Sequence, residues 1–314
     1  MSEIIDLGQG ISLIDACYIS EDVAAVYLLR EGNQVAIIET GTAHSVIDIE
    51  KLLITQNLDF SHVKYIITTH VHLDHAGGAG SLMQRCENAS LVVHPRGARH
   101  LIDPSKLIAG TIAVYGEEKF VRLYGEIVPV DEMRVIEASD GFEVDLSGRK
   151  LKFLDTPGHA RHHFCVWDQN SGSMFTGDTF GLSYRDFDTP GQVFIFPTTT
   201  PVQFDPDEMI KSIDRIMDYQ PQRIMLTHFG AISPSIAVVN ELKSGVKMMT
   251  DLAIAYHDKE DAQMLIEELM MENLLVSLAA RGIENLEAAR KKLANDVNLN
   301  TQGLIFWQKR LNQS

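Results

Sequence analysis

The spacing of apolar residues favours short strands with helices between them up to about residue 235, and helix alone beyond it. Residues 23–30 (VAAVYLLR) and 34–40 (QVAIIET) are apolar runs flanking Glu31-Gly32-Asn33, a hairpin signal. Residues 44–56 place apolar side chains at helical spacing and predict an amphipathic helix. β-branched runs at 63–69 (VKYIITT) and 90–95 (SLVVHP) predict two further strands, the second stopped by Pro95. A glycine-rich helix entry (AGGAGSLMQRC) lies between them.

Residues 96–124 read as helix with an interruption near Pro104, a helical insertion of about 96–125 placed to cover a site. Strands dominate from 134 to 178 (FEVDL, KLKFLDT, HFCVWD, SMFTGDT), with turns at 147–149 and 169–172. A long aromatic-rich loop at 183–206 precedes a helix at 206–220 and a strand at 223–228 (RIMLTH). The helical tail carries Met264, Met270 and Met271, expected to pack against itself or the core. The layout predicts a mixed α/β core domain, 1–236, followed by a helical extension, 237–314.

Composition narrows the partners. The chain has 314 residues and a formal net charge of -16, with no Lys/Arg run, so nucleic acid and anionic membrane surfaces are not expected. No stretch approaches the roughly 18 consecutive apolar residues of a spanning helix. The first residues lack a basic, then apolar, leader pattern, and the three cysteines, Cys17, Cys86 and Cys165, are odd in number and far apart. A reducing cytoplasm and inert buried thiols are the expectation. The helical tail and the insertion are the surfaces on which a homodimer would form.

The chemistry concentrates in one stretch, Thr69-His70-Val71-His72-Leu73-Asp74-His75-Ala76-Gly77-Gly78. A His-x-His-x-Asp-His pattern arises by chance about once in a thousand chains of this composition. It begins where an apolar strand ends, which is where sites are built. His70 and His72, two apart, can point one way from an extended turn, whereas Asp74 and His75 diverge unless the loop turns sharply. One pair for each of two metals is the natural solution, with Val71 and Leu73 anchoring the loop. Other strand ends carry further candidates: His159 after a Thr-Pro-Gly turn, Asp178 after Gly177, and His228 before Phe229-Gly230. In His162-His163, strand alternation would send one ring toward the site and one away.

Taken together, His-x-His-x-Asp-His followed by His, Asp and His resembles the metallo-β-lactamase superfamily, over roughly residues 20–230, and within it the glyoxalase-II-like branch, which carries all seven ligands. The resemblance implies a four-layer αββα sandwich with the site at one edge between two sheets. It implies that His70, His72 and His159 hold a first metal, that Asp74, His75 and His228 hold a second, and that Asp178 bridges them. Family members usually have Asp-Thr-Gly at the end of an early strand. Here the residues are Glu39-Thr40-Gly41, so Glu39 is expected to support the ligands with one more methylene. His162 is a second candidate for that supporting role.

Two divalent ions, zinc first and iron or manganese as alternatives, would share a water and lower its pKa toward 7. Asp74 would orient or accept a proton from the resulting hydroxide. The expected reaction is hydrolysis of an ester-like bond in a small molecule: thioester, ester or lactone. Hydroxyacylglutathione-hydrolase-like and lactonase-like activities are what the resemblance implies. Such enzymes hold glutathione with a basic, Asn-Pro-Phe-containing C-terminal segment that has no counterpart here, which counts against glutathione itself. Tyr184, Arg161 and Phe229 are candidate substrate contacts from their places beside the ligands, and Tyr115 and Tyr124 from theirs in the insertion. Two other readings stand: an iron-containing redox or oxygen-binding protein on the same scaffold, and a non-enzymatic metal-binding regulator.

Overall fold

The computed structural model describes residues 3–199 and 202–312; Thr200 and Pro201 of the long loop lie outside them. The chain divides into two compact units. The first comprises residues 1–155, 162–177 and 220–233; the second comprises 156–161, 178–219 and 234–314.

Unit one holds both sheets. Its first sheet runs in chain order: β1 (Ile4–Gly8), β2 (Ile11–Asp15), β3 (Ala25–Glu31), β4 (Gln34–Ile38), β5 (Val63–Ile67), β6 (Ser90–Val93) and β7 (Val135–Glu137). The first four strands pair antiparallel, and β4 through β7 pair parallel. Parallel neighbours need crossovers. These are α1 (Val46–Thr55), then α2 (Leu73–Ala76) with α3 (Ala79–Arg85), then the insertion, α4 (Pro95–Ile102), α5 (Ser105–Tyr115) and α6 (Glu117–Tyr124). The insertion breaks at Asp103-Pro104, as its sequence predicts, and again at Gly116, whose φ of 78° suits glycine.

The second sheet is β8 (Glu143–Leu146), β9 (Arg149–Asp155), β10 (Phe164–Asp168), β11 (Ser173–Gly177), β12 (Arg223–Leu226) and β13 (Gly230–Ile232), adjacent in chain order. Only β11 and β12 pair parallel. Strand alternation explains why β3 reads as a continuous apolar run. Ala25, Tyr27 and Leu29 enter the core between the sheets, with Phe153, Phe164, Phe175 and Met225. Val26 and Leu28 enter the core under the helices, with Ile49, Leu52 and Leu82. Both faces are covered, so neither needs polar residues. Inter-sheet aromatic packing is edge-on, with ring centroids 5.2 Å apart for Tyr27–Phe175, and 4.8 Å apart for Phe153–Phe164 on the neighbouring strands β9 and β10.

Unit two is mostly helical: α7 (Pro206–Asp218), α8 (Ile236–Tyr256), α9 (Ala262–Ala280) and α10 (Leu286–Leu311). Side-chain caps start three of them, with Asp205 accepting from the Glu208 N–H, Ser235 from Val238 and Asn285 from Ala288. Leu242, Val246 and Met249 of α8, Ile266, Met270 and Leu278 of α9, and Leu293, Val297 and Leu304 of α10 are buried. Met271 is buried with Met270, but Met264 is 60% exposed, because it falls outside the buried face of α9.

The fold is thus an α/β sandwich with a helical extension, the expected class. No helix among the described residues is long and apolar enough to cross a membrane. The thiols depart from expectation. Cys86 and Cys165 are buried, and burial pushes Cys86 up to about 12, but Cys17 is exposed, because it leaves β2 in a loop at φ 51°.

Candidate metal centre

Parallel strands deliver their C-terminal ends to one edge of a sheet, where open α/β sheets place their sites. In unit one, Glu39 follows β4, His70 follows β5, and Thr227-His228 follows β12. The quoted loop is pinned from below: Val71 and Leu73 are buried in the helix-side core. It does turn sharply, since residues 73–76 form the single turn α2, with the His75 and Ala76 N–H groups both bonded to the His72 carbonyl. Gly77 and Gly78 let this turn lie against the 40–42 loop. A Cβ on Gly78 would meet the carbonyl oxygens of Thr40 and Thr42 at 2.7 Å, and one on Gly77 the Leu73 oxygen at 2.3 Å.

The sharp turn makes Asp74 and His75 converge with His228. His75 Nε2 and His228 Nε2 are 3.2 Å apart, and Asp74 Oδ2 lies 3.6 and 3.5 Å from them. Tetrahedral coordination at zinc–ligand lengths of 2.0–2.1 Å separates ligand atoms by about 3.3 Å, so the three atoms already have the spacing of one face of such a site. Hydrogen-bond logic sets the tautomers. His228 Nδ1 is 2.6 Å from the Val23 carbonyl, which can only accept, so Nδ1 carries the proton. His75 Nδ1 is 3.0 Å from the Glu39 carboxylate and donates likewise. Each ring therefore presents its Nε2 lone pair to the other and to a carboxylate, a donor set that suits a borderline divalent cation.

Glu39 is the hub of this arrangement. It is 1% exposed, and its carboxylate accepts from Thr69 N–H (3.2 Å), Thr69 Oγ1 (2.5 Å), Thr227 Oγ1 (3.0 Å) and His75 Nδ1. Glu39 itself has a left-handed backbone, φ 65°. Because the Thr69 hydroxyl donates to Glu39, it accepts from His70 Nδ1 at 3.1 Å, leaving His70 Nε2 as the lone-pair atom. That Nε2 is 2.7 Å from His72 Nδ1, and the His70 and His75 rings lie 4.0 Å apart. Asp74 is the most exposed member of the converging trio, its side chain 21% exposed against 11% for His228.

His162 and His163 do not alternate. Both rings face His70, at centroid distances of 6.2 and 5.0 Å, because they lie in the turn before β10 rather than on the strand. Burial, with smaller contributions from His72 and His100, pushes His162 down to about 3, so it is neutral at working pH.

In unit two, His159 Nε2 lies 3.3 Å from Asp178 Oδ2, and both side chains are buried. Thr198 Oγ1 is 2.9 Å from His159 Nδ1. Tyr184 is buried with its hydroxyl on Asp296, 2.7 Å away, and Arg161 is exposed, its main-chain N–H on Gln203 Oε1. In unit one, Phe229 packs into the inter-sheet core and lines a cavity of about 560 Å³ with Asp15, Cys17, Asp22 and Lys51. Tyr124 pairs its hydroxyl with Tyr18, 2.8 Å away, and burial followed by the Asp74 charge pushes both phenols up.

Sequence reading missed the threonines bonded to these groups. One signal was present: Thr-His occurs at the ends of both β5 and β12, and both threonine hydroxyls end on Glu39.

Residues 20–228 match the family model described as metallo-beta-lactamase superfamily. The chain is 30% identical over 219 residues to metallo-beta-lactamase fold-containing protein ST1585 of Sulfurisphaera tokodaii, covering 68% of this chain and 76% of that one. Its solved structure superposes with a TM-score of 0.61 and 28% identity, over 77% of this chain and 87% of that chain. The hydroxyacylglutathione hydrolase of Pelagibacter ubique is 27% identical over 47% of this chain and 46% of its own. The human acyl-coenzyme A thioesterase MBLAC2 is 27% identical over 55% of this chain and 64% of its own.

Proposed function

Because this chain belongs to the metallo-beta-lactamase superfamily, we propose that it is a dinuclear metal-dependent hydrolase of a small-molecule ester-like bond, with thioesters first, then esters and lactones. The observation that carries the reading is the convergence of Asp74, His75 and His228 with both imidazole tautomers set by Glu39 and Val23. The metals proposed are zinc. Following the family pattern, His70, His72 and His159 would hold one ion, Asp74, His75 and His228 the other, and Asp178 would be the ligand shared by both.

When bound, the ions supply Lewis acidity and a water acidified to near-neutral pKa. The remaining work falls to the chain. Glu39 keeps the proton on His75 Nδ1 and so keeps Nε2 available. Asp74, part-exposed, is the group placed to accept a proton from the attacking water and hold it until products leave. His162, neutral and buried against His70 and His72, keeps bulk water from one flank of that pair. The thioesterase and hydroxyacylglutathione hydrolase among the relatives support thioester chemistry for this chain by analogy. Glutathione as the acyl carrier is not proposed.

Metal quantification on protein purified without added metal, coupled to a panel of thioesters, esters and lactones, tests this. About two equivalents of zinc and turnover abolished by chelation are expected. A metal-replete protein inert on the whole panel overturns the hydrolase reading, and a coloured, iron-loaded protein overturns zinc.

A further inference from the structure

We propose that helix α10 of the C-terminal extension positions His159 as a ligand, acting through Asn300 and Thr198. The proposal rests on the reading of His159 as a metal ligand. Thr198 Oγ1 is 3.2 Å from the main-chain oxygen of Asp178 and 2.9 Å from His159 Nδ1. A carbonyl only accepts, so the single hydroxyl proton of Thr198 goes to Asp178. Thr198 therefore accepts from His159, whose Nδ1 carries the proton. His159 Nε2 becomes the lone-pair atom, and it is the atom that faces Asp178 Oδ2.

Thr198 has no regular secondary structure to hold it. Asn300 does so by gripping the residues on either side. Its Oδ1 accepts from Thr199 N–H at 2.7 Å, its Nδ2 donates to the Pro197 carbonyl at 3.1 Å, and its own carbonyl accepts from Thr199 Oγ1 at 2.8 Å. Asparagine is a poor residue for a helix interior, and a buried amide is costly unless paired. Asn300 is 2% exposed in the middle of α10, and the 197–199 segment gives it those pairs. Two further contacts fix the same loop. Gly245 of α8 comes so close to Pro197 that a Cβ there would meet its ring carbon at 2.8 Å. One turn before Asn300, Asp296 accepts from the Tyr184 hydroxyl. The helical extension therefore sets a ligand's tautomer and aim, a task outside that of a packing appendage.

The test compares Thr198→Val, Thr198→Ser and Asn300→Ala by zinc competition against a chromophoric chelator, alongside the melting temperature of the metal-free proteins. Thr198→Val is expected to stay folded, with a metal-free melting temperature lower by a few degrees for the unpaired His159 N–H, and to lose about 10–100-fold in zinc affinity. Thr198→Ser restores the affinity to near wild type. Asn300→Ala lowers it in the same direction. Should Asn300→Ala fail to fold, Thr198→Val decides alone. Wild-type protein that binds zinc while Thr198→Val binds it equally well overturns this inference and leaves the hydrolase reading intact. Wild-type protein that binds no metal removes both.

Discussion

At the scale of single residues, Glu39 shows how one carboxylate can govern a site without touching a substrate. Four donors converge on it, and one is the ring nitrogen that decides which face of His75 is basic. Glu39→Gln keeps the volume but turns one oxygen into a donor, which faces either the Thr69 N–H or the hydroxyl-rich side. The variant is expected to lose about 1–3 kcal/mol of stability for the mispaired buried donor. It should also lose about 10–100-fold in zinc affinity. Urea unfolding and chelator competition measure the two effects. A variant that binds zinc like the wild type shows that Glu39 serves packing alone. The clustered histidines were legible in the sequence because their spacing is local and rare. The threonines were not, since a hydroxyl at a strand end has many ordinary uses and only its partner reveals this one.

At the scale of elements, a one-turn helix made neighbours converge that an extended loop would splay. Asp74 and His75 reach the same point because α2 winds immediately after His72. Gly77 and Gly78 permit that winding against the 40–42 loop. Gly78→Ala forces a methyl group to within 2.7 Å of two carbonyl oxygens, so the loop must shift. The expected cost is about 1–3 kcal/mol, read by thermal or urea unfolding, with a parallel fall in zinc affinity. Unchanged stability would mean that the loop gives way freely and that the glycines matter little. The strand pattern anticipated β3 to β6 and β8 to β12 well. It missed β1, β2, β7 and β13; β7 and β13 are only three residues long, and β7 pairs with β6 across the whole helical insertion. Alternation misled at His162 and His163, where the chain is still turning before β10 begins.

At the scale of the whole molecule, the strand ends that carry the converging histidines come from segments as distant as β5 and β12. A cation held by such ligands cross-links the folded chain and has no equivalent site in the unfolded one. Metal-loaded protein is therefore expected to melt several degrees above the chelated form. Each site contributes about 2.7 kcal/mol when free metal stands 100-fold above its Kd. Calorimetry with and without chelator checks this, and identical melting curves would exclude a metal bound in the native state. The sequence by itself determined the cluster of histidine and aspartate, the strand–loop–helix setting of the His-x-His-x-Asp-His stretch and the α/β class, because periodicity and residue chemistry are local properties. Only the tertiary structure decided which ring nitrogens carry the lone pairs, that Glu39 and two threonines choose them, and that an asparagine about 140 residues beyond His159 grips the loop that bonds it. Those assignments rest on hydrogen bonds between residues remote in sequence, and the pattern of a single chain carries no record of who meets whom.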